Sequence, residues 1–204
     1  HPASQALREL IQAGAQLDAR DAVGYAPIHH AADRGNLPAL RELVRAGSSH
    51  TWRSATLQTP LAAACLTGQS GAVKFLLHKC GADASAADDM GQTTLSLAAL
   101  HGHLAVVKVM LRFGIQKLGP RAYPDALICM SLCGNVSILR ELTSAEGGVH
   151  INQARNLVRM TPLHFSAGFC HVLATRVLLE AGADEHAADL KGETPLDVVD
   201  TKRN

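Results

Sequence analysis

Apolar residues recur along the chain at the spacings of an amphipathic helix, three and four positions apart. The clearest positions are Leu40, Leu43 and Val44, then Val73, Leu76 and Leu77, then Val107, Met110 and Leu111. A glycine follows each of these segments, at Gly47, Gly81 and Gly114. Glycine suits a left-handed helix C-cap because it has no Cβ. The pattern predicts a series of short helices that each bury one face.

A shorter helix is predicted before each of these, because the sequence marks its start. Threonine caps free backbone N–H groups, and proline suits the first helical position. Both residues stand at Thr59-Pro60, Thr161-Pro162 and Thr194-Pro195, half of the signal remains at Ala26-Pro27 and Thr93-Thr94, and Asp125-Ala126 keeps only a capping side chain. The residues expected to be buried in this first helix, one in each copy, are Ile28, Leu61, Leu95, Leu127, Leu163 and Leu196.

The helix pair repeats along the chain at a nearly constant interval. Glycines near the end of the first segment fall at Gly35, Gly68, Gly102 and Gly134, with spacings of 33, 34 and 32 residues. Cys170 takes the place of the next glycine, 36 residues further on. A fixed period in this range is typical of stacked repeats, in which neighbouring copies bury a shared core.

At this point the sequence resembles the ankyrin-repeat family. Its T-P-L-H-x-A signature stands almost intact at residues 161–167, "TPLHFSA", and its second signature stands at 178–184, "LLEAGAD". The resemblance implies an all-α fold, a solenoid of stacked helix-turn-helix units with β-turn tips. It covers a single domain over 1–204, with a partial repeat at 1–20, full repeats at 21–53, 54–87, 88–119, 120–155 and 156–188, and the start of another at 189–204.

Composition agrees with a folded helical chain and narrows the functional classes. The chain is 47% hydrophobic and 18% charged, which does not indicate disorder, and aromatic residues make up only 3%. The net charge is +1 and the positive residues are spread along the sequence, so nucleic-acid binding is not expected. No apolar run approaches the ~18 residues of a membrane span, and no membrane contact by this fragment is expected.

The cysteines indicate a reducing compartment. Their number, five, is odd and no C-x-x-C pair occurs, which argues against a disulfide framework and for an intracellular protein, cytoplasmic or nuclear. The chain begins with His1 rather than methionine, and we interpret it as a piece of a longer protein.

Adjacent histidines at His29 and His30 raise the question of metal binding or acid–base chemistry. His29 and His164 occupy the histidine position of the family signature, which implies a structural bond to the backbone of adjacent loops. His30 is expected to face the inner surface and to contact a ligand. Cys129 and Cys133, with His101 and His103, offer a weak alternative metal set. We expect no catalytic residue, metal or cofactor.

Asn152 occupies the position at which many family members are hydroxylated. The alternative is that it is a plain hairpin residue.

The resemblance implies that the turn tips and the inner, concave face bind another protein. The candidate partner-binding residues are Tyr25, His30, Arg34, Trp52, Leu66, Met90, Leu100, His101, Leu132, Cys133, Met160 and Phe169. Leucine recurs in one usually polar column at Leu66, Leu100 and Leu132, which predicts an apolar groove that runs toward Phe169 and Met160. The same leucines are also compatible with internal packing, and Trp52 with either an exposed anchor or a staple on the next repeat.

The predicted function is a non-catalytic protein–protein interaction module, an adaptor or scaffold. Its expected partner is an extended or helical protein segment with apolar side chains, bound by a monomer. One alternative is a regulatory or substrate-recruiting domain of a larger enzyme, ubiquitin-ligase adaptor or channel. Another is a self-associating structural stack.

Overall fold

The computed structural model describes residues 2–144, 151–152 and 158–201. In this part of the chain the helices are α1 (Pro2–Gln12), α2 (Pro27–Asp33), α3 (Leu37–Arg45), α4 (Pro60–Leu66), α5 (Ser70–Lys79), α6 (Thr94–Leu100), α7 (Leu104–Phe113), the 3-10 helix η1 (Ile115–Lys117), α8 (Ala122–Cys133), α9 (Val136–Ser144), α10 (Pro162–Gly168), α11 (Val172–Glu180) and α12 (Pro195–Thr201). The predicted repeat boundary between residues 155 and 156 lies outside the described residues.

The chain forms two compact units, His1–Gly119 and Pro120–Asn204. In the first unit α2, α4 and α6 pack side by side in one layer, and α1, α3, α5 and α7 form a second layer against them. In the second unit α8, α10 and α12 form one layer, while α9 and α11 form the other. We call the layer of first helices the inner layer and that of second helices the outer layer. The predicted all-α class is confirmed.

The predicted helix starts are confirmed with one exception. Thr59 Oγ1 accepts the amide N–H of Ala62 at 3.2 Å, as a threonine N-cap should. Asp125, by contrast, lies inside α8, which begins at Ala122. The helix extends past the expected start because Pro124 falls in its first turn, where a missing N–H is tolerated. The Tyr123 hydroxyl, which is buried, donates a hydrogen bond to the carbonyl oxygen of Leu142 and holds this extra turn in place.

The core follows the predicted columns except at the last copy. Ile28, Leu61, Leu95 and Leu127 are 0% exposed and Leu163 is 2% exposed, but Leu196 is 69% exposed. The expectation for Leu196 was wrong because no second helix follows α12 among the described residues. The side chains of α10, α11 and α12 instead border an open pocket of about 580 Å³, lined by Leu196 and other apolar residues.

The close approach of a histidine ring explains one of the repeated glycines. Gly68 has a φ of 78°, and a Cβ there would lie 2.6 Å from Nδ1 of His103. The His103 ring occupies that space to bond the Leu66 carbonyl oxygen through Nε2, at 2.9 Å. In the second unit His171 makes the same contact with Leu132, beside Gly134. His103 and His171, which follow Gly102 and Cys170, therefore each join the end of one inner helix to the next repeat.

Candidate functional site

The first of the paired histidines is part of the scaffold. His29 is fully buried, and its Nδ1 accepts the amide N–H of Ala26 at 3.2 Å. Its Nε2 therefore carries the proton and donates to the carbonyl oxygens of Trp52 and Gln58, both at 3.1 Å. Burial lowers the pKa of His29, which keeps the ring neutral. The predicted structural role of His29 is confirmed.

His164 repeats this arrangement in the second unit. Its Nδ1 accepts the amide N–H of Thr161 at 3.1 Å, and its Nε2 donates to the Glu193 carbonyl oxygen at 3.0 Å. The bond reaches the turn that precedes the next inner helix, as the family signature implies. The structural role predicted for His164 is confirmed as well.

His30 takes a different direction from its neighbour. Its Nε2 lies 2.8 Å from Oδ2 of Asp21, and the side chain is 44% exposed. The other oxygen of Asp21 accepts the amide N–H groups of Val23 and Tyr25, at 3.0 and 2.9 Å. The amide of Tyr25 is the main cause that lowers the pKa of Asp21. The carboxylate thus holds the turn tip and orients His30 on the exposed surface.

Tyr25 completes an aromatic surface at this first turn. Its ring stacks on His29, with centroids 5.0 Å apart, and meets His30 edge-on at 5.5 Å. Its hydroxyl donates to Oε1 of Gln58 in the next repeat at 2.6 Å. Tyr25 is half-buried, so it links two repeats while part of its side chain stays open to solvent.

Trp52 lies at the neighbouring turn and is 36% exposed. The guanidinium carbon of Arg20 sits 4.7 Å from the centre of its ring, in a cation–π arrangement. Arg20 also donates to the Arg53 carbonyl oxygen at 2.7 Å. The contact comes from the preceding copy, and the choice between an exposed anchor and a staple on the next repeat stays a prediction.

Sequence reasoning missed the residues that hold the turn tips. Side-chain oxygens of Asp21, Ser54, Asp88 and Asp189 each accept two amide N–H groups, from residues two and four positions later. Such oxygens stabilise turns by replacing backbone acceptors. The first three of these residues are 33 and 34 positions apart, which is the repeat period. Short polar residues that recur at that period are the signal that would have identified them.

The leucine column of the first unit is partly open to solvent. Leu66 and Leu100 end the neighbouring inner helices α4 and α6, and Leu100 is 41% exposed while Leu66 is half-buried. Arg34 and His101 follow in the adjacent column and are exposed. At the turn tips Met90 is 78% exposed. This unit therefore presents an apolar strip with polar groups beside it.

The second unit carries the other four candidate residues. Leu132 and Phe169 are 38% and 50% exposed, and the Phe169 ring stacks against His171 at 6.3 Å. Cys133 is exposed next to Leu132, and Met160 is half-buried. Leu132 and Phe169 lie at the ends of α8 and α10, which pack together in the inner layer.

The cysteines do not form a recognisable reactive centre. Burial raises the pKa of the Cys65 and Cys129 thiols, which disfavours the nucleophilic thiolate. Cys133 and Cys170 are exposed, and all five thiols are free. Among the described residues, no group of three or more His, Cys, Asp and Glu side chains is placed to hold a metal ion.

Asn152 takes part in a contact between turns. Its Nδ2 donates to the Gly182 carbonyl oxygen at 3.3 Å, and its Oδ1 accepts the amide N–H of Asp184 at 2.8 Å. Both ends of the side-chain amide are therefore used to join residues 151–152 to the turn after α11. Hydroxylation of Asn152 stays a hypothesis.

Two layers of short antiparallel helices, repeated with capped turns, define a helical repeat protein of the solenoid class. A family model described as ankyrin repeats (3 copies) matches residues 2–88 and 28–120. The chain belongs to the ankyrin-repeat family. Ankyrin repeats are protein–protein interaction modules, and the fold is typically non-catalytic.

The chain is similar to parts of much longer known proteins. The chain is 30% identical over 143 residues to an L-asparaginase of Dirofilaria immitis, which covers 69% of the chain and 24% of that protein. It is 28% identical over 174 residues to the transient receptor potential cation channel subfamily A member 1 homolog of Caenorhabditis elegans, covering 85% of the chain and 14% of that protein. The chain thus spans less than a quarter of the length of either relative.

The crystal structure of the ankyrin repeat domain of Bcl-3 has the same fold. It superposes with a TM-score of 0.79 at 23% sequence identity and covers 98% of this chain and 92% of that domain. No helix in the described part of the chain has the length and apolar character needed to cross a membrane.

Proposed function

We propose that the chain is an intracellular, non-catalytic adaptor that binds a protein segment with apolar side chains on its inner layer and turn tips. The observation that carries this proposal is an exposed inner-layer leucine in each unit, Leu100 at 41% in the first and Leu132 at 38% in the second. Each stands one position after an alanine or serine that is fully buried, Ala99 or Ser131. Each of these leucines leaves about two-fifths of its surface in water, and an apolar patch with polar neighbours favours partner binding.

The exposed areas set how much the leucines contribute to binding. Burying a whole leucine side chain stabilises by ~1.5–3 kcal/mol, so covering the open two-fifths of Leu100 contributes roughly 1 kcal/mol. Association itself costs ~4–15 kcal/mol. The partner must therefore also contact the turn tips, where Met90 and Trp52 offer further apolar area. Such a spread of contacts suits an extended or helical segment that lies across several repeats.

A second candidate function is that of a regulatory or recruiting domain within a larger protein. The relatives named as an L-asparaginase and as a cation channel support it, because the chain matches only 24% and 14% of their lengths. In this reading the bound segment belongs to the same polypeptide or to a substrate that it recruits. The full reading frame around these residues distinguishes the two readings.

The test begins with selection of peptides from a random library displayed on phage, with the chain immobilised. The affinity of a selected peptide is then measured by isothermal titration calorimetry against Leu100→Glu and Leu132→Glu variants. A matched control is Leu173→Glu, which places the same charge at a 58% exposed leucine of the outer helix α11. Circular dichroism establishes that each variant is folded.

The proposal expects at least about tenfold weaker binding with a glutamate on the inner layer and an unchanged affinity with the control. Should all three variants bind the peptide as tightly as the parent chain, the leucine column is not the binding surface. If the control variant Leu173→Glu weakens peptide binding as much as the inner-layer variants do, the proposal is also contradicted. If a glutamate variant does not fold, Leu100→Ala or Leu132→Ala replaces it in the same measurement.

A further inference from the structure

The outer layer of the first unit carries a strong excess of positive charge. The Lys and Arg residues of α3, α5 and α7 are Arg41, Arg45, Lys74, Lys79, Lys108 and Arg112. These helices contain one carboxylate, that of Glu42. It bonds Arg8 at 2.7 Å and Arg45 at 3.0 Å. The net charge of +1 conceals this asymmetry, because most acidic residues of the unit lie in turns such as those at Asp21 and Asp88.

The positive side chains surround a groove between α3 and α5. It has a volume of about 640 Å³ and is lined by Arg41, Arg45, Lys74, His78 and Lys79 around apolar side chains. The apolar part consists of Leu37, Val44 and Phe75, which are all half-buried. Gly71 also lines the groove, and a Cβ there would approach Leu37 Cδ1 to 3.2 Å. The lack of a side chain at Gly71 keeps the groove open at this point.

Much of this positive charge is not neutralised within the unit. Arg41, Lys74, Lys79 and Arg112 form no ion pair with any residue that the structure describes. Arg41 lies over the Phe75 ring at 5.9 Å, which orients its guanidinium above the groove. Like charges held close together repel, and an acidic partner relieves that repulsion as it binds. The electrostatic field therefore selects for negative charge.

We propose that this groove, which we call the outer basic groove, docks an acidic protein segment that also carries apolar side chains. Carboxylates would face Lys74, Lys79 and Arg41, and an apolar side chain would cover Val44 and Phe75. Packed helices lie about 8–10 Å apart, so a groove above two of them accepts one chain or one helix. A nucleic-acid duplex or a flat bilayer would leave the apolar floor uncovered. The proposal adds a second surface to the one on the inner layer.

The probe for this groove is a fluorescein-labelled peptide of glutamate and leucine, with the leucines spaced to form one apolar face of a helix. Binding to the whole chain is measured by fluorescence anisotropy. The groove variant is Lys74→Glu with Lys79→Glu, and both side chains are exposed. The control is Arg140→Glu with Arg176→Glu, which makes the same change in net charge at exposed sites on α9 and α11.

The groove variant should bind at least about tenfold more weakly, and the control less than about twofold. A peptide in which glutamine replaces glutamate should not bind, and affinity should fall as sodium chloride rises from about 50 to about 500 mM. A Leu100→Glu variant should leave the affinity for this acidic peptide unchanged. Failure of the inner-layer proposal can therefore be distinguished from failure of the outer basic groove.

Three results would overturn the outer basic groove as a peptide site. One is the absence of measurable peptide binding, and another is equal weakening by the groove and control variants. The third is groove-dependent binding of duplex DNA or of phosphatidylcholine–phosphatidylserine vesicles without peptide binding. Lys74→Gln with Lys79→Gln replaces the groove variant if charge reversal prevents folding, and the same outcomes apply to it.

Discussion

Two leucines in the same repeat column offer a direct test of how the second unit is stabilised. Leu163 and Leu196 both follow the proline that begins an inner helix, in α10 and α12. Leu163 is 2% exposed and Leu196 is 69% exposed. The perturbation is Leu→Ala at each position in turn. Because the residue type, the column and the unit are the same, the two variants differ mainly in burial.

The expected magnitudes follow from that difference. Truncation of a buried leucine loses its transfer free energy and leaves a cavity, which together cost ~2–5 kcal/mol. Leu163→Ala should therefore lower the free energy of unfolding by about 3 kcal/mol. Leu196 keeps most of its side chain in water, where substitutions are usually within about 0.5 kcal/mol of neutral. The expected gap between the variants is about 2–3 kcal/mol.

The assay is urea unfolding followed by circular dichroism, with the unfolding of each variant fitted separately. Repeat proteins do not always unfold in one step, so the two variants are compared on the transition that Leu163→Ala shifts. Equal destabilisation by the two substitutions would refute the assignment of Leu196 to an uncovered face. A negligible effect of Leu163→Ala would refute the description of the core itself.

Three further predictions concern the scaffold. The pKa of His29 is lowered by burial, so the unfolded chain binds a proton first as pH falls below about 6.5. Above that pH the free energy of unfolding should not depend on this group, and below it the free energy should fall by at most ~1.4 kcal/mol per pH unit. Thermal melts at several pH values should show a smaller fall for the His29→Gln variant than for the parent chain. Tyr123→Phe leaves the buried Leu142 carbonyl without its donor and should cost ~1–3 kcal/mol in urea unfolding; an unchanged midpoint would contradict this bond. Gly68→Ala should destabilise the chain more than Gly102→Ala, because both have φ near 77° but only Gly68 lies against His103. Equal losses in thermal melts would mean that the His103 contact is unimportant.

The site could be anticipated only in part. The alignment of copies singled out Leu100 and Leu132, which are indeed exposed, because a column that departs from its usual polar character is visible in sequence. It did not reveal that Asp21 orients His30, or that Arg20 covers Trp52. Those pairs join residues 9 and 32 positions apart, and no repeat signature specifies them. Whether the inner layer binds a partner stays a proposal for the calorimetric test.

The helix pairs, their period and the buried roles of His29 and His164 were determined by the sequence alone. Each depends on signals that are local or that recur at one interval: a threonine–proline start, a glycine at positive φ, an apolar residue on every turn. The longer α8 escaped prediction because its start depends on the packing of Tyr123 and not on a cap.

Burial and the gathering of charge were decided by the tertiary structure. Leu163 and Leu196 are indistinguishable by column, yet only the first is covered, because burial in a stack depends on which neighbours a copy has. Lys74 and Arg41 are 33 residues apart and look dispersed in the sequence, but α3 and α5 lie side by side and bring them to one groove. A repeat places equivalent positions in register, so charges scattered along the chain add up on one layer of the fold.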